Sequence, residues 1–281
     1  MKTRDFIATL FSLTAVITVM TVSIPAAMLS CEAETAGRSI RFQTAAEGAV
    51  DSGAALTDFE TASGWRVELT RALALLGPIY FYGGEPMASR RLVLPGIGVA
   101  EACPTHAQYD YGAVLGEVLE QYAVDLLAEK PTPTGEIDGQ AGTCHTVEVH
   151  LHPQGDQGLR LASDADTAAL LEGNSIPLEG TAEKDGEAVP FRALITIPDE
   201  GTTRIVQSIA ANVVLDNVSD KPGRLIVQAL LDIWFSKVDF STLGKTDEDG
   251  VFLFTEGTQA RTALIQAVHN RYAYRVVWSE K

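Results

Sequence analysis

Trp65-Arg66-Val67-Glu68-Leu69-Thr70 alternates apolar and polar residues one for one. Successive side chains of an extended strand point to opposite faces, so this order predicts a strand with one buried and one wetted face. The same period recurs on either side. Ile40 and Phe42 alternate with Arg41 and Gln43, and Tyr272, Tyr274, Val276 and Trp278 take every second position near the C-terminus. Ile79-Tyr80-Phe81-Tyr82 is a short aromatic strand signal that stops at Gly83-Gly84, and residues 191–197 form one that stops at Pro198-Asp199. Residues 225–235 are apolar almost throughout and predict a strand buried on both faces.

Two segments carry the helical period instead. Leu115, Val118, Leu119, Tyr122 and Leu126 fall at helical spacing, with Asp110 as a candidate cap, although residues 122–127 also read as a strand. Ala260, Ala263, Leu264, Ala267 and Val268 do the same, and Asn270 suits the stop. Many short strands with one or two short helices predict a mainly β fold. The expected form is an antiparallel β-sandwich, or a partly open barrel. Residues 83–91, 130–142 and 219–223 are the expected loops. Lys130-Pro131-Thr132-Pro133-Thr134-Gly135 is the best linker candidate.

The charge balance is 21 basic against 37 acidic residues, net −16. That excludes nucleic acid as a partner through a global basic surface, because phosphate neutralisation needs clustered Lys and Arg. Apolar residues make up 46% and charged residues 21%, a globular mixture. No G-x-S-x-G elbow, H-E-x-x-H helix, Walker loop or G-x-G-x-x-G fingerprint occurs. Asp247-Glu248-Asp249-Gly250 lacks the ligand spacing of a calcium loop and reads as an acidic surface turn.

Lys2 and Arg4 precede an uncharged apolar run over residues 6–24, followed by Pro25-Ala26-Ala27-Met28-Leu29-Ser30-Cys31. A basic start, an apolar run and small residues describe a secretory signal peptide over residues 1–30. Leu29-Ser30-Cys31 resembles the lipobox of bacterial lipoproteins, which implies lipidation of Cys31 and a lipid-anchored tether over residues 31–37. Residues 38–281 are then expected to form a single sandwich domain in the periplasm or at the outer membrane. Removing Lys2, Arg4 and Asp5 with the signal leaves 19 basic and 36 acidic residues, net −17. Such a body is repelled from an anionic bilayer, so the membrane is a partner only through the anchor. In an oxidising compartment the remaining Cys103 and Cys144 most simply pair. That disulfide would close a loop of about 40 residues and contribute roughly 4 kcal/mol on the chain-entropy argument.

Cys144-His145-Thr146-Val147-Glu148-Val149-His150-Leu151-His152 alternates as well. On a strand, Cys144, Thr146, Glu148, His150 and His152 share one face. Two imidazoles two residues apart can converge on one ion, each nitrogen at roughly 2.0–2.1 Å, so His150 and His152 are a candidate two-ligand platform. Imidazole suits copper and zinc alike. His106 and Glu148 are candidate further ligands. Cys103, His106, Cys144 and His145 form an alternative Cys₂His₂ zinc set. The competing reading is an ordinary solvent-facing polar strand. His269 suits the negative end of the second helix, and Trp65, Trp234, Trp278, Tyr80 and Tyr82 suit either core packing or an exposed aromatic rim.

Residues 64–72, 76–80, 189–191 and 234–240 (among them Gly64-Trp65-Arg66, Gly77-Pro78, Pro190-Phe191 and Trp234-Phe235-Ser236-Lys237) look like a group of uncharacterised proteobacterial exported proteins. They are similar to the periplasmic partner protein of methanobactin-type copper systems. The resemblance implies an exported, β-rich protein with a copper role and transfers no ligand residue. The expected function is transition-metal binding without catalysis. The alternative is a structural or recognition lipoprotein that holds a protein partner or ligand by its loops and aromatic rim. A hydrolase on a β scaffold is the third class. For the anchor, Cys31→Ser is expected to leave the precursor unprocessed or to release soluble protein. Fractionation of cells making each form reads this, and a processed variant still on the membrane would contradict it.

Overall fold

The computed structural model describes residues 38–85, 112–151, 159–160, 165–198, 203–215 and 223–280, all within one compact unit that begins at Arg38. The strands are β1 (Ser39–Ala49), β2 (Asp58–Glu60), β3 (Arg66–Leu76), β4 (Ile79–Tyr82), β5 (Val114–Val118), β6 (Gln121–Asp125), β7 (Thr132–Gln140), β8 (Thr143–His150), β9 (Leu159–Arg160), β10 (Ile176–Lys184), β11 (Glu187–Ile195), β12 (Ile205–Val214), β13 (Gly223–Leu230), β14 (Phe252–Leu253) and β15 (Tyr274–Glu280). The helices are α1 (Ala165–Leu171), α2 (Leu231–Phe235) and α3 (Gln259–Val268). None of the described helices is long and apolar enough to cross a membrane.

The architecture is mainly β and consistent with a sandwich. One sheet has the order β15-β13-β1-β7 and another β12-β8-β4-β5. Their end strands lie side by side, β12 by β15 and β5 by β7. Phe42 of β1 and Phe81 of β4 meet edge to face at 6.2 Å between these two sheets. Ile40, Ile79, Leu115, Val147, Val149, Leu225 and Val227 belong to the same buried core. A third sheet, β14-β11-β10-β3-β6-β9, carries β2 on β3 as well. An aromatic cluster packs with it: Phe191 lies 5.7 Å from Phe235, 5.0 Å from Phe240 and 5.7 Å from Phe254. Each such side chain, buried, contributes roughly 1.5–3 kcal/mol. In α1, Leu171 closes a satellite core with Leu73, Leu75 and Ala123.

The strands expected at 40–43 and 79–82 are present, those expected at 65–70, 191–197 and 272–278 are Arg66–Leu76, Glu187–Ile195 and Tyr274–Glu280, with Tyr272 in a 3-10 turn instead, and α3 follows the expected helix at 260–268. Thr258 caps α3 by accepting from the Arg261 N–H, and Asn270 caps the short 3-10 turn that follows by accepting from the Tyr272 N–H. Three expectations need correction. The helix expected over 115–126 is two strands of different sheets, β5 and β6, joined at Leu119-Glu120 with Leu119 exposed. Its helical spacing is coincidental. Both halves instead complete ladders, β5 on β4 and β6 on β3, and Gly116 sits where a Cβ would be 3.0 Å from Phe42 Cζ.

The run over 225–235 ends as a strand at Leu230 and becomes α2. Continuous apolarity has no period to separate strand from helix. The break falls where Asp232 accepts from the backbone N–H groups of Asp51 and Ser52 at 2.9–3.0 Å. The expected loop and linker at 130–142 holds β7, which runs antiparallel to β1. Pro133 is tolerated there because β7 is an end strand and the register shifts beside it, between Thr44 and Ala45.

Gly139 marks where β7 closes on β5: a Cβ there would stand 2.3 Å from the Leu115 carbonyl oxygen and 2.9 Å from Phe42 Cε1. Gly139→Ala is therefore expected to destabilise the domain by about 1–3 kcal/mol through overpacking. Urea unfolding followed by circular dichroism measures it, and a midpoint equal to wild type would refute the close approach.

Candidate functional site

β8 carries the candidate residues on a strand flanked by β4 and β12. The alternation holds: Cys144, Thr146, Glu148 and His150 take one face, His145, Val147 and Val149 the other. The expected solvent-facing polar face is absent. Cys144 and Thr146 are wholly buried, and Glu148 and His150 are only 5% and 8% exposed. Neighbours cross this face. The Thr146 hydroxyl donates to the Gly84 carbonyl at 2.6 Å, and the Tyr80 ring lies 5.6 Å from that of His150.

His150 Nε2 lies 2.9 Å from Glu148 Oε1. In the neutral tautomer whose Nε2–H donates to the carboxylate, Nδ1 carries the lone pair. The pair explains how a carboxylate survives burial here, since an unpaired one would cost several kcal/mol. Tyr80 faces Glu148 across the β4–β8 ladder and Glu117 across the β4–β5 ladder. Burial raises the Tyr80 hydroxyl above the usual phenol range. The negative charges of Glu117 and Glu148 add to this, and the Arg204 guanidinium opposes it. Ile205, next to Arg204, stands opposite His150 on β12. Tyr80 is the member that sequence reading placed among packing residues. Cross-strand register brings it to Glu148, and nothing local in the sequence encodes that register.

Glu148 thus contacts His150 rather than standing as a separate ligand beside it. Among the described residues no group of three or more His, Cys, Asp or Glu side chains is placed to hold a metal ion. His152, His106, Cys103 and Cys31 lie outside the described residues. The Cys₂His₂ alternative meets an obstacle in β8 itself, because Cys144 and His145 point to opposite faces. His145 Nδ1 stands 3.3 Å from Glu85 Oε1.

His269 ends α3 as expected, with Nδ1 2.7 Å from the Ile265 carbonyl oxygen and Nε2 against that of Thr203. Asp247 builds its acidic turn by accepting from the N–H groups of Asp249 and Val251, and it pairs with Arg192 at 3.0 Å. The aromatic rim is largely core, with Trp65 and Trp234 buried, while Tyr272 stands exposed beside the Arg271 guanidinium.

A carboxylate on one imidazole nitrogen is the arrangement by which a protein fixes the tautomer and aim of a metal-binding histidine. It supplies one ligand and its support.

Among the described residues Cys144 has no disulfide partner, the expected one, Cys103, lying outside them; its thiol is buried and donates to the Thr146 carbonyl at 3.6 Å. Burial pushes it up to about 12, against the opposing effect of hydrogen bonds with the Tyr82 and Thr146 backbones. The thiolate is the reactive form, so the native protein at pH 8 is expected to resist iodoacetamide at Cys144 and to react there once unfolded in guanidinium. Peptide mass mapping reads both states, and rapid native labelling would contradict the burial.

No protein-family model matches the chain, and no curated protein matches it. Among solved structures, MbnP from Methylosinus trichosporium is similar, with 8% identity, coverage of 86% of this chain and 99% of that one, and a TM-score of 0.41. No residue role is carried over from it.

Proposed function

We propose that this chain is an extracytoplasmic, lipid-anchored β-sandwich protein that binds a transition-metal ion, copper or zinc, through His150 Nδ1 and does so without catalysis. The observation that carries this reading is the buried Glu148–His150 pair at 2.9 Å. A carboxylate on one ring nitrogen raises the basicity of the other and holds the ring in one orientation. The sequence supplies His152 two residues further and His106 as further ligands, and the signal-like start with Cys31 supplies the export and the anchor. Glu148, first considered as a ligand, here supports the ligand.

Untagged protein is expected to carry near-stoichiometric copper or zinc by elemental analysis. His150→Ala should lower affinity by orders of magnitude, whereas Glu148→Gln should lower it only about 10–100-fold, as loss of a supporting partner does. Affinity should also fall on acidification, because protons compete for imidazole. Competition with a chelator measures all of these. Equal affinity in wild type and both variants, or no stoichiometric metal, would overturn the reading.

A further inference from the structure

We infer that a cavity on the outer face of the β15-β13-β1-β7 sheet binds a small zwitterion of the α-amino acid class, with Arg224 holding its carboxylate and Glu136 its ammonium. The site is built on a different sheet from β8 and does not depend on the metal reading. Its origin is a fault in a ladder. β7 sets Gly135 opposite Thr44 and Pro133 opposite Ala45, which leaves Thr134 as an extra residue. Such a bulge bends its strand and re-aims the side chains around it. The buried Thr134 hydroxyl donates to that of Thr44 at 2.9 Å, and Thr44 donates to the Gly135 carbonyl at 3.2 Å. Beside the bulge, Gln43, Thr44, Pro133, Gly135, Glu136 and Arg224 line a cavity of about 280 Å³, near the lower end of the range for small-molecule sites.

Register places three polar side chains of this lining in one row. Glu136 of β7 stands opposite Gln43 of β1, and Gln43 opposite Arg224 of β13. Phe42 is buried in the core, so its neighbour Gln43 points outward, and the row with it. Strand spacing of about 4.8 Å sets the Glu136 and Arg224 backbones roughly 10 Å apart. Among the described residues Arg224 makes no ion pair or hydrogen bond, and neither does the Gln43 side chain. Glu136 lies 3.6 Å from Arg41, which is held more closely by Asp138 at 2.7 Å. Glu136 therefore keeps acceptor capacity, since an ionised carboxylate offers about four lone-pair sites.

With 37 acidic residues in the chain, a half-buried arginine without a carboxylate partner needs a reason. Its guanidinium presents a rigid fork of donors that matches a carboxylate. The cavity thus has an open cation at one end, an amide in the middle and a carboxylate at the other end. Charge then selects the ligand. A simple anion meets Glu136 and a chain of net charge −16, and a simple cation meets Arg224. A molecule with both charges and no net charge satisfies both ends, and the Gln43 amide can donate to one and accept from the other. Pro133 adds an apolar wall for a side chain.

The test titrates the full chain, by ligand-observed NMR, with L-leucine and two analogues. One is 4-methylpentanoate, which lacks the ammonium, and the other 3-methylbutylamine, which lacks the carboxylate. L-Leucine should bind with a dissociation constant of about 1 mM or below. Each analogue should bind about 10–100-fold more weakly, the loss expected when a hydrogen bond between charged groups is removed. Arg224→Gln should remove the preference for L-leucine over 3-methylbutylamine, and Glu136→Gln that over 4-methylpentanoate. Glu136 is exposed, so Glu136→Gln carries the test if Arg224→Gln fails to fold. No binding of L-leucine at about 10 mM, equal binding of the three molecules, or wild-type preference in either folded variant would overturn the site. None of these outcomes bears on the metal reading.

Discussion

The turn at Gly77 governs how the sheets are joined. β3 pairs with β10 through its first half and with β6 through its last four residues, and it is the strand from which the chain passes directly into β4. At the crossing a Cβ on Gly77 would stand 2.1 Å from the Glu120 carbonyl oxygen, and its φ is +127°. Only glycine meets both demands, the first steric and the second conformational. The backbone there is also pinned from the far side, since the Gly77 N–H donates to the His150 carbonyl at 3.0 Å and the His150 N–H to that of Pro78 at 2.9 Å. The strand switch and the candidate site therefore share backbone. What lets the chain leave one sheet for another also sets where His150 stands.

The site itself shows how a fold keeps charge inside a β-sheet. Glu148 and His150 lie one above the other on a covered face. The carboxylate gains a charge-assisted hydrogen bond, and the imidazole loses its freedom to flip. In water such a pair would be worth little, but with the site closed by Tyr80 and neighbouring strands the same contact is strengthened by the low dielectric. Burial thus changes the role of Glu148 from one of several acidic surface groups to the support of a single ring.

Much of this was legible from residue order. Period two in β1, β3 and β15, and the 3.6 period in α3, report burial directly, because one face of each element meets the core. The facial sorting of β8 was legible for the same reason. The illegible parts have physical causes. Leu115 to Leu126 satisfies helical spacing and strand chemistry together, and the choice was made by the partners β4 and β3, which are distant in sequence. β7 contains Pro133 and Gly135 and looks like a loop until β1 offers it a ladder. The burial of His150 was hidden because alternation sorts faces but does not say whether the polar one is covered. Tyr80 was hidden because register is a property of two strands, not of one.

The parallel ladder between Gln43–Ala49 of β1 and Arg224–Leu230 of β13 has a consequence for biosynthesis. A ribosome adds ~5–20 residues per second. About 180 residues separate the end of β1 from the end of β13, so β1 waits roughly 10–35 s for that partner. During that interval β1 exposes an apolar face and an unpaired edge, the features that recruit other chains. The antiparallel neighbour β7 arrives sooner and covers the opposite edge. The β1–β13 ladder is therefore completed late in synthesis, after β7 has covered the other edge of β1.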